Sequence, residues 1–420
     1  MIDIQIDAQR IEQNLQELAR YSDAPAPAVT RVLYTSTDQQ AREMIRALMR
    51  ESGLVVSEDA IGNIFGRWEG TQPNLPAIAT GSHTDAIPFS GMYDGTVGVI
   101  GAIEAIRAMR EAGFQPIRSI EVIMFTSEEP TRFGIGCLGS RAMAGILTPD
   151  DLMVLHDDAG ETFDNVRQSA GYNARLETVR ITSDTYQAFV ELHIEQGPRL
   201  EDTNNSIGIV TAIAAPATLR IVLKGDGGHA GTVLMPRRKD ALTAAAEIIL
   251  EVERAARESH SPDAVATVGR CDIYPGAVNS IPSRVLLEID VRDIDLDSRD
   301  SMIKRIQQQI DLICDTRQLH SEVSILNADR PCYAGKAICS TLLEVTEALG
   351  YSYQLLVSRA YHDALFMAEL CPVSMIFVPS MKGYSHRPEE FTALNDIVKG
   401  MTVLAQSLAQ LSTTINDAQE

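Results

Sequence analysis

The strongest constraint on this fold is a recurring pattern: a short apolar run, a polar cluster, then an amphipathic helical stretch. LPAIAT (75–80) leads into GSHTDAIPFSGMYDG, after which Val97, Ile100, Ile103, Ile106 and Met109 mark one helical face. SIEVIMFT (119–126) leads into SEEPTRFG in the same way. Apolar runs without alternation mark strands buried on both faces, and their repetition with helices predicts an α/β domain, a mostly parallel sheet with helices on both faces. Residues 9–20 and 38–52 add amphipathic helices, the second with Met44, Ile45, Leu48 and Met49 at helical spacing.

The middle of the chain has a different period. Leu219, Ile221 and Leu223 alternate with polar neighbours, as do Val285, Leu287, Ile289 and Val291, with a helix expected at 238–256. A second helix is expected at 300–315, with Met302, Ile303, Ile306, Ile310 and Ile313 on one face. Alternation of period two reads as half-exposed antiparallel strands. Residues 214–328 are therefore expected as a small α+β domain inserted into an α/β domain made of 1–213 and 329–420. After residue 335 the earlier style returns, with a helix near 337–349, the segment RAYHDALFMAEL, the run VSMIFVPS and a loop bearing a histidine.

Charge and cysteine usage exclude several function classes. The 36 Lys+Arg against 57 Asp+Glu leave a net charge of −21, which repels nucleic-acid phosphates and anionic membrane surfaces. An anionic substrate must find a local basic pocket. No apolar run approaches the roughly 18–20 residues that span a bilayer. The start, MIDIQIDAQRIEQNLQELARYSD, lacks the basic and apolar regions of a secretory signal, so the cytoplasm is the expected location. Cys137, Cys271, Cys314, Cys332, Cys339 and Cys371 are scattered without a C-x-x-C pair, so a bound metal would need histidine and carboxylate ligands.

Such ligands are present. His83 stands in GSHTD with Asp85 two residues on, a spacing at which a carboxylate can receive the second imidazole N–H. Asp94, in MYDG just before a helix, reads on its own as an N-cap. Glu128 and Glu129 are adjacent at the end of a buried strand, where they repel unless a cation or shared proton compensates them. His193 lies in ELHIEQG between Glu191 and Glu195, and His386 lies in GYSHRPEE. His83, Asp94, Glu129, His193 and His386 all fall at the C-terminal ends of expected parallel strands or in the loops after them, where open α/β sheets build sites. Imidazole and carboxylate donors without thiolate suit Zn, Mn, Co or Ni, and the set is large enough for two ions sharing one carboxylate.

The segments GSHTDAIPFSGMYDGTVGVIGAIEAI, FTSEEPTRFGIGCLGSR, ELHIEQGPRLE, GGHAGTVLMPRRKDAL, YPGAVNSIP, EIDVRD, RAYHDALFMA and GYSHRPEEF occur in this order. They resemble the landmarks of the two-metal peptidases and amidohydrolases, which include aminoacylases, carboxypeptidase G and the ureido-specific allantoate, ureidoglycolate and N-carbamoyl-L-amino-acid amidohydrolases. The resemblance covers nearly the whole chain. It implies that His83 and His193 ligate one metal, Glu129 and His386 a second, and Asp94 bridges the two, with Asp85 orienting His83. Glu128 resembles the general base, which takes a proton from water and passes it to the leaving nitrogen. The inserted domain would be the dimerisation and lid domain of a homodimer. His229 in GGHAG resembles the residue that reaches across the dimer to the oxyanion; by itself it reads as a turn histidine among glycines. Asn279 and Arg292 resemble ligands of the substrate carboxylate, although Arg292 also reads as a strand-surface ion pair with Asp290 or Asp293.

HIEQGP and GGHAGT, followed by Met235 and Arg237, resemble the ureido-hydrolysing branch, in which Gln196 would bond the ureido or carboxylate end. Within that branch the segments AIPFSGMYDG and RAYHDALFMA are most similar to the ureidoglycolate amidohydrolases. Arg359 and Tyr361 stand where allantoate and carbamoylase members carry the glycines of GAGHDA, and a tyrosine there would narrow the pocket for a short substrate. The resemblance thus implies hydrolysis of (S)-ureidoglycolate to glyoxylate, ammonia and carbon dioxide in purine catabolism, with two divalent ions per subunit, Mn²⁺ first and Zn²⁺, Co²⁺ or Ni²⁺ open. The alternatives are an N-carbamoyl-L-amino-acid hydrolase or allantoate amidohydrolase with the same residues and, from another class, a catalytically silent dimer that binds carboxylates.

Overall fold

The apolar runs form the centre of one sheet in the computed structural model, which describes residues 1–413. Four parallel strands, β1 (Ala77–His83), β2 (Ile120–Phe125), β3 (Tyr186–Ile194) and β4 (Val373–Val378), lie side by side in the order β2, β1, β3, β4. Both faces of these strands are buried, which is why their sequences lack alternation. The flanks run the other way: Ile64–Trp68 pairs antiparallel with β2, and Ile207–Ile213 pairs antiparallel with β4. Helices α1 (Thr96–Glu111) and α2 (Leu394–Thr413) cover one face, burying Ile100, Met401 and Leu404 with Ile78, Val122, Leu192 and Ile376 of the strands. The short helix Asp363–Met367 packs on β3 and β4.

His83 and His193 occupy the opposite strand parity from Ile78 and Leu192, in register with Phe125 and Phe377 on the neighbouring strands. Two residues before His83, Gly81 has φ 153°, and a Cβ there would stand 1.9 Å from the Ile123 carbonyl oxygen. Only glycine lets β1 approach β2 this closely at the point where the strand delivers its histidine.

Met1–Thr211, Tyr333–Ser358 and His362–Thr413 belong to this first unit. The second unit is Ala212–Cys332 together with Arg359–Tyr361, three residues that the expected 214–328 insertion did not include. Its antiparallel sheet runs in the order Val265–Tyr274, Arg284–Asp293, Ala215–Lys224, His320–Ala328. The helices Ala241–Arg257 and Leu296–Arg317 bury Ile248, Val252, Ile306 and Ile310 with Leu219, Ile221, Leu287 and Ile289. Among the described residues, no helix is long and apolar enough to cross a membrane.

One buried ion pair braces the end of β2. Arg42, on the helix Ser36–Glu51, places Nε 2.8 Å from Asp38 Oδ2, with both side chains at 1% exposure or less. Its Nη1 also donates to the Gly62 carbonyl at 2.6 Å and to Thr126 Oγ1 at 3.4 Å, two residues before Glu128. Arg42→Met strands a buried Asp38, and urea denaturation should read a loss of about 3–5 kcal/mol. A loss under about 1 kcal/mol, the worth of an exposed pair, would remove this bracing role.

Candidate metal centre

Strand ends and the loops after them deliver the site. His83 ends β1, Glu128 and Glu129 follow β2, His193 is the penultimate residue of β3, and His386 lies in the loop after β4. Asp94 precedes α1, but the cap position of that helix is Gly95 and no side chain caps it. The N-cap reading of Asp94 is therefore incorrect, because its carboxylate is turned to imidazoles instead. Asp94 Oδ1 lies 3.2 Å from His193 Nε2 and 3.8 Å from His83 Nε2, while Oδ2 lies 3.1 Å from His386 Nε2. His386 Nε2 is in turn 3.2 Å from Glu129 Oε1. The fold thus brings together three potential ligand groups: His83/Asp94/His193 and Asp94/Glu129/His386, which share one carboxylate, and Glu191/His193/His362, which shares His193 with the first.

The imidazoles are preset for a cation. His83 Nδ1 stands 3.0 Å from the Asp85 backbone oxygen and His193 Nδ1 2.9 Å from the Ile194 oxygen. Only a donor can face a carbonyl, so Nδ1 carries the hydrogen in both rings and Nε2 faces the cluster. His83 Nε2 is buried with no hydrogen-bond partner, a cost that an ion would remove. Glycine is required at 95, where φ is 66° and a Cβ would stand 2.3 Å from His83 Nε2.

The Asp85 carboxylate is 3.6 Å from His83 Nδ1 and also accepts the amide hydrogens of Glu128 (3.2 Å) and Glu129 (3.0 Å). The carboxylate thus reaches the turn that follows the neighbouring strand as well as the His83 ring. Gln196 Nε2 donates to Asp94 Oδ2 at 2.8 Å, and its Oε1 is buried without a partner. Ser127, Gln196 and His386 have φ of 55°, 55° and 59°. Non-glycine residues in the left-handed region carry strain that concentrates where side chains must be aimed.

Electrostatics follow from burial. Burial and the neighbouring Glu129, Asp363 and Asp94 hold the Glu128 carboxyl well above the usual carboxylate range, against the opposing pull of His83. Burial also opposes ionisation of Asp94, but the facing imidazoles of His193 and His386 outweigh it and hold that group well below its ordinary value. Hydrogen bonds to Asp94 and Glu129 push His386 up to about 11.

His229, Asn279, Arg292 and Tyr361 belong to the second unit. Pairing of Gly228–His229 with Ser280–Ile281 puts His229 beside Asn279, whose carbonyl accepts the Ala230 amide hydrogen at 2.9 Å. His229 is exposed, and its Nδ1 accepts from the Gly231 amide at 3.0 Å. Arg292 is gripped side-on by Asp290 (2.7 and 2.9 Å) and donates to the Arg359 carbonyl at 3.0 Å, so its ion pair with Asp290 is formed. Arg359 itself pairs with Asp263.

Sequence reasoning missed several side chains here. Glu191 accepts from Ser82 Oγ (2.8 Å) and from the Ala364 amide (3.1 Å); the ring of His362 packs 4.5 Å from that of His193; Asp363 accepts from Ser140. Glu390 accepts from the Tyr93 and Asp94 amides. Each lies within a segment or beside a residue already singled out, so proximity to a ligand was the available signal.

The model for Peptidase family M20/M25/M40 matches residues 79–410. The ureidoglycolate hydrolase of Arabidopsis thaliana is 51% identical over 416 residues, covering 97% of this chain and 87% of its own. The N-carbamoyl-L-amino-acid amidohydrolase of Paenarthrobacter aurescens is 39% identical over 405 residues, 96% of this chain and 98% of its own. The crystal structure of AtUAH in complex with glyoxylate matches with TM-score 0.90 at 51% identity, covering 97% of this chain and 98% of that one.

The clusters predict that a divalent cation stabilises the fold. Calorimetry on chelator-stripped protein should show a lower melting temperature, with Mn²⁺ at a hundred times its Kd restoring about 2.7 kcal/mol. An unchanged melting temperature with Mn²⁺, Zn²⁺, Co²⁺ and Ni²⁺ would remove the metal reading.

Proposed function

Because the chain belongs to Peptidase family M20/M25/M40, we propose that its buried cluster is a two-metal hydrolytic centre that acts on a small ureido carboxylate, (S)-ureidoglycolate. The products would be glyoxylate, ammonia and carbon dioxide once the carbamate and hydroxyglycine decompose. The observation that carries this reading is the pair of ligand groups sharing Asp94, with Glu128 beside them and outside both. Identity of 51% across 97% of the chain to a ureidoglycolate hydrolase supports the substrate.

His83 and His193 with Asp94, and Glu129 and His386 with Asp94, would hold the ions. When bound, two divalent cations supply Lewis acidity, lowering the pKa of water and polarising the ureido carbonyl. Mn²⁺ is the proposed metal, though the same donors accept Zn²⁺, Co²⁺ and Ni²⁺.

Glu128 is suited to move the proton. Its amide hydrogen is held by Asp85 and its carbonyl oxygen accepts the Cys137 amide hydrogen at 2.9 Å, so the backbone is fixed on both sides of the side chain. Burial gives its carboxyl a high proton affinity, which favours taking a proton from the attacking water and delivering it to the leaving nitrogen. Asp85 sets the turn that aims Glu128 and Glu129. Gln196, through Asp94, would hold the shared carboxylate in place, with its remaining carbonyl left to meet a ureido N–H.

The second unit is proposed as the dimerisation and lid domain of a homodimer. There Arg292 and Asn279 would bind the substrate carboxylate, His229 would stabilise the oxyanion from the partner subunit, and Tyr361 would limit substrate length. An arginine held side-on by Asp290 presents a preoriented guanidinium, which suits planar carboxylate recognition.

Glu128→Gln should lower kcat by about 10²–10⁴-fold while leaving the melting temperature near wild type, since a neutral side chain suits that burial. Turnover within about tenfold of wild type would take the proton-transfer role from Glu128. For the substrate, ammonia release by Mn²⁺-loaded protein should show kcat/KM at least about tenfold higher for ureidoglycolate than for allantoate, N-carbamoyl-alanine or N-carbamoyl-β-alanine. Preference for a carbamoyl amino acid would keep the chemistry and overturn the substrate. Absence of ammonia from all four would favour a silent carboxylate-binding dimer.

A further inference from the structure

The loop that carries Asp94 and the loop that carries His386 lean on one buried residue outside all three ligand groups. We propose that Glu390 is a positioning residue for the metal centre, locking these loops so that Asp94 and His386 face the same ion. The inference rests on the reading of the clusters as metal ligands.

Glu390 is 4% exposed. Its Oε1 accepts the amide hydrogens of Tyr93 (2.8 Å) and Asp94 (3.0 Å), which head the turn into α1 and have no side-chain cap of their own helix to serve them. Its Oε2 lies 2.9 Å from Ser385 Oγ, the hydroxyl next to His386. The same Ser385 Oγ is 2.8 Å from Asp94 Oδ2, which closes a ring of contacts through both loops. The fit is tight: a Cβ at Gly91 would stand 2.3 Å from Glu390 Cβ, so the turn before Asp94 packs directly on this side chain. The neighbouring Glu389 instead points to solvent and pairs with Arg387 at 2.9 Å, 60% exposed.

The consequences for the two ligand groups that share Asp94 differ. His83 and His193 are held on strands, with Nδ1 tied to backbone carbonyls, so that pair keeps its geometry without Glu390. Asp94 and His386 are on loops, and His386 has the strained φ of 59°. Without Glu390, the Asp94 backbone loses its acceptor and Ser385 loses one of its two partners. The ion between Asp94, Glu129 and His386 is the one that depends on this bracing.

The test is isothermal titration of metal-stripped protein with MnCl₂, for wild type, Glu390→Leu and Ser385→Ala. Glu390→Leu keeps much of the volume but removes both oxygens, whereas a glutamine would still accept the two amide hydrogens through Oε1 and donate to Ser385 Oγ through Nε2. Wild type should take up two ions. In Glu390→Leu one of the two should bind on the order of 10–100-fold more weakly, the usual cost of losing a residue that orients a ligand, with a smaller effect in Ser385→Ala. Turnover lost at limiting Mn²⁺ should return as Mn²⁺ is raised, a recovery that a damaged fold would not show. Two ions bound by Glu390→Leu at wild-type affinity would overturn the inference and leave the metal centre standing. If Glu390→Leu does not fold, Ser385→Ala decides, with wild-type affinity for both ions overturning the role. Failure of wild type to bind Mn²⁺ would overturn the metal reading itself, and the positioning role with it.

Discussion

A single buried carboxylate organises the first unit. Asp94 has three imidazoles within 3.8 Å, arriving from β1, β3 and the loop after β4, and no other described residue belongs to both of the ligand groups it joins. Such a group is costly to bury unless every lone pair is met. The surrounding residues meet that demand: Gln196 and Ser385 donate to Oδ2, and Glu390 holds the amide. Gly95 leaves space for His83 at the start of α1. The strand order β2, β1, β3, β4 supplies the ligands in the sequence the shared carboxylate requires, with His83 and His193 on adjacent strands.

Charge explains why this region needs a partner from outside the chain. Asp85, Asp94, Glu128, Glu129, Glu191, Asp363 and Glu390 are all buried, and they outnumber the imidazoles among them. Some are neutralised by their surroundings. Burial and Glu191 push Asp363 up to about 8, and burial and Asp94 push Glu390 up to about 7. Others accept hydrogen bonds from fixed donors, as Asp85 does from two amide hydrogens. Divalent cations lower the electrostatic cost of such a cluster more than rearranged protons can, because each brings two charges without itself requiring a donor. In the same setting Glu128 keeps a high proton affinity and Asp94 a low one, the division that the proposed proton carrier and shared anion require.

The buried strands were legible because burial on both faces leaves an unbroken apolar run, and the histidines stood out because they interrupt or end such runs. The candidate ligands stood out by their position at strand ends. The antiparallel flanks were less visible: Ile64–Trp68 is too short to show its direction, which depends on a partner distant in sequence. The further contacts that Asp85 and Gln196 make could not be read because a side chain's partner depends on loop geometry, and at 196 that loop is in the left-handed region. Glu390 was hidden beside Glu389, an identical residue whose side chain is exposed. Arg359–Tyr361 has no pattern that assigns it to the second unit; its membership comes from tertiary contacts such as Arg359 with Asp263 and with Arg292.

The two units carry different burdens, and this accounts for why reaction class is easier to read than substrate. In the first unit the candidate ligands and Glu128 are linked by mutual contacts, and all but the exposed His386 are buried, so changing one disturbs several others. In the second unit His229 and Asn279 are exposed. Exposed residues such as these can change without unfolding the chain. Relatives named for different substrates, at 51% and 39% identity, align over nearly the whole length. Tyr361 and Arg359 are half-buried, and Arg359 is tied both to Asp263 and, through its carbonyl, to Arg292. A glycine at 359 would keep the carbonyl contact but lose the ion pair that fixes it, so the side chain at this position controls how firmly a guanidinium in the same unit is aimed.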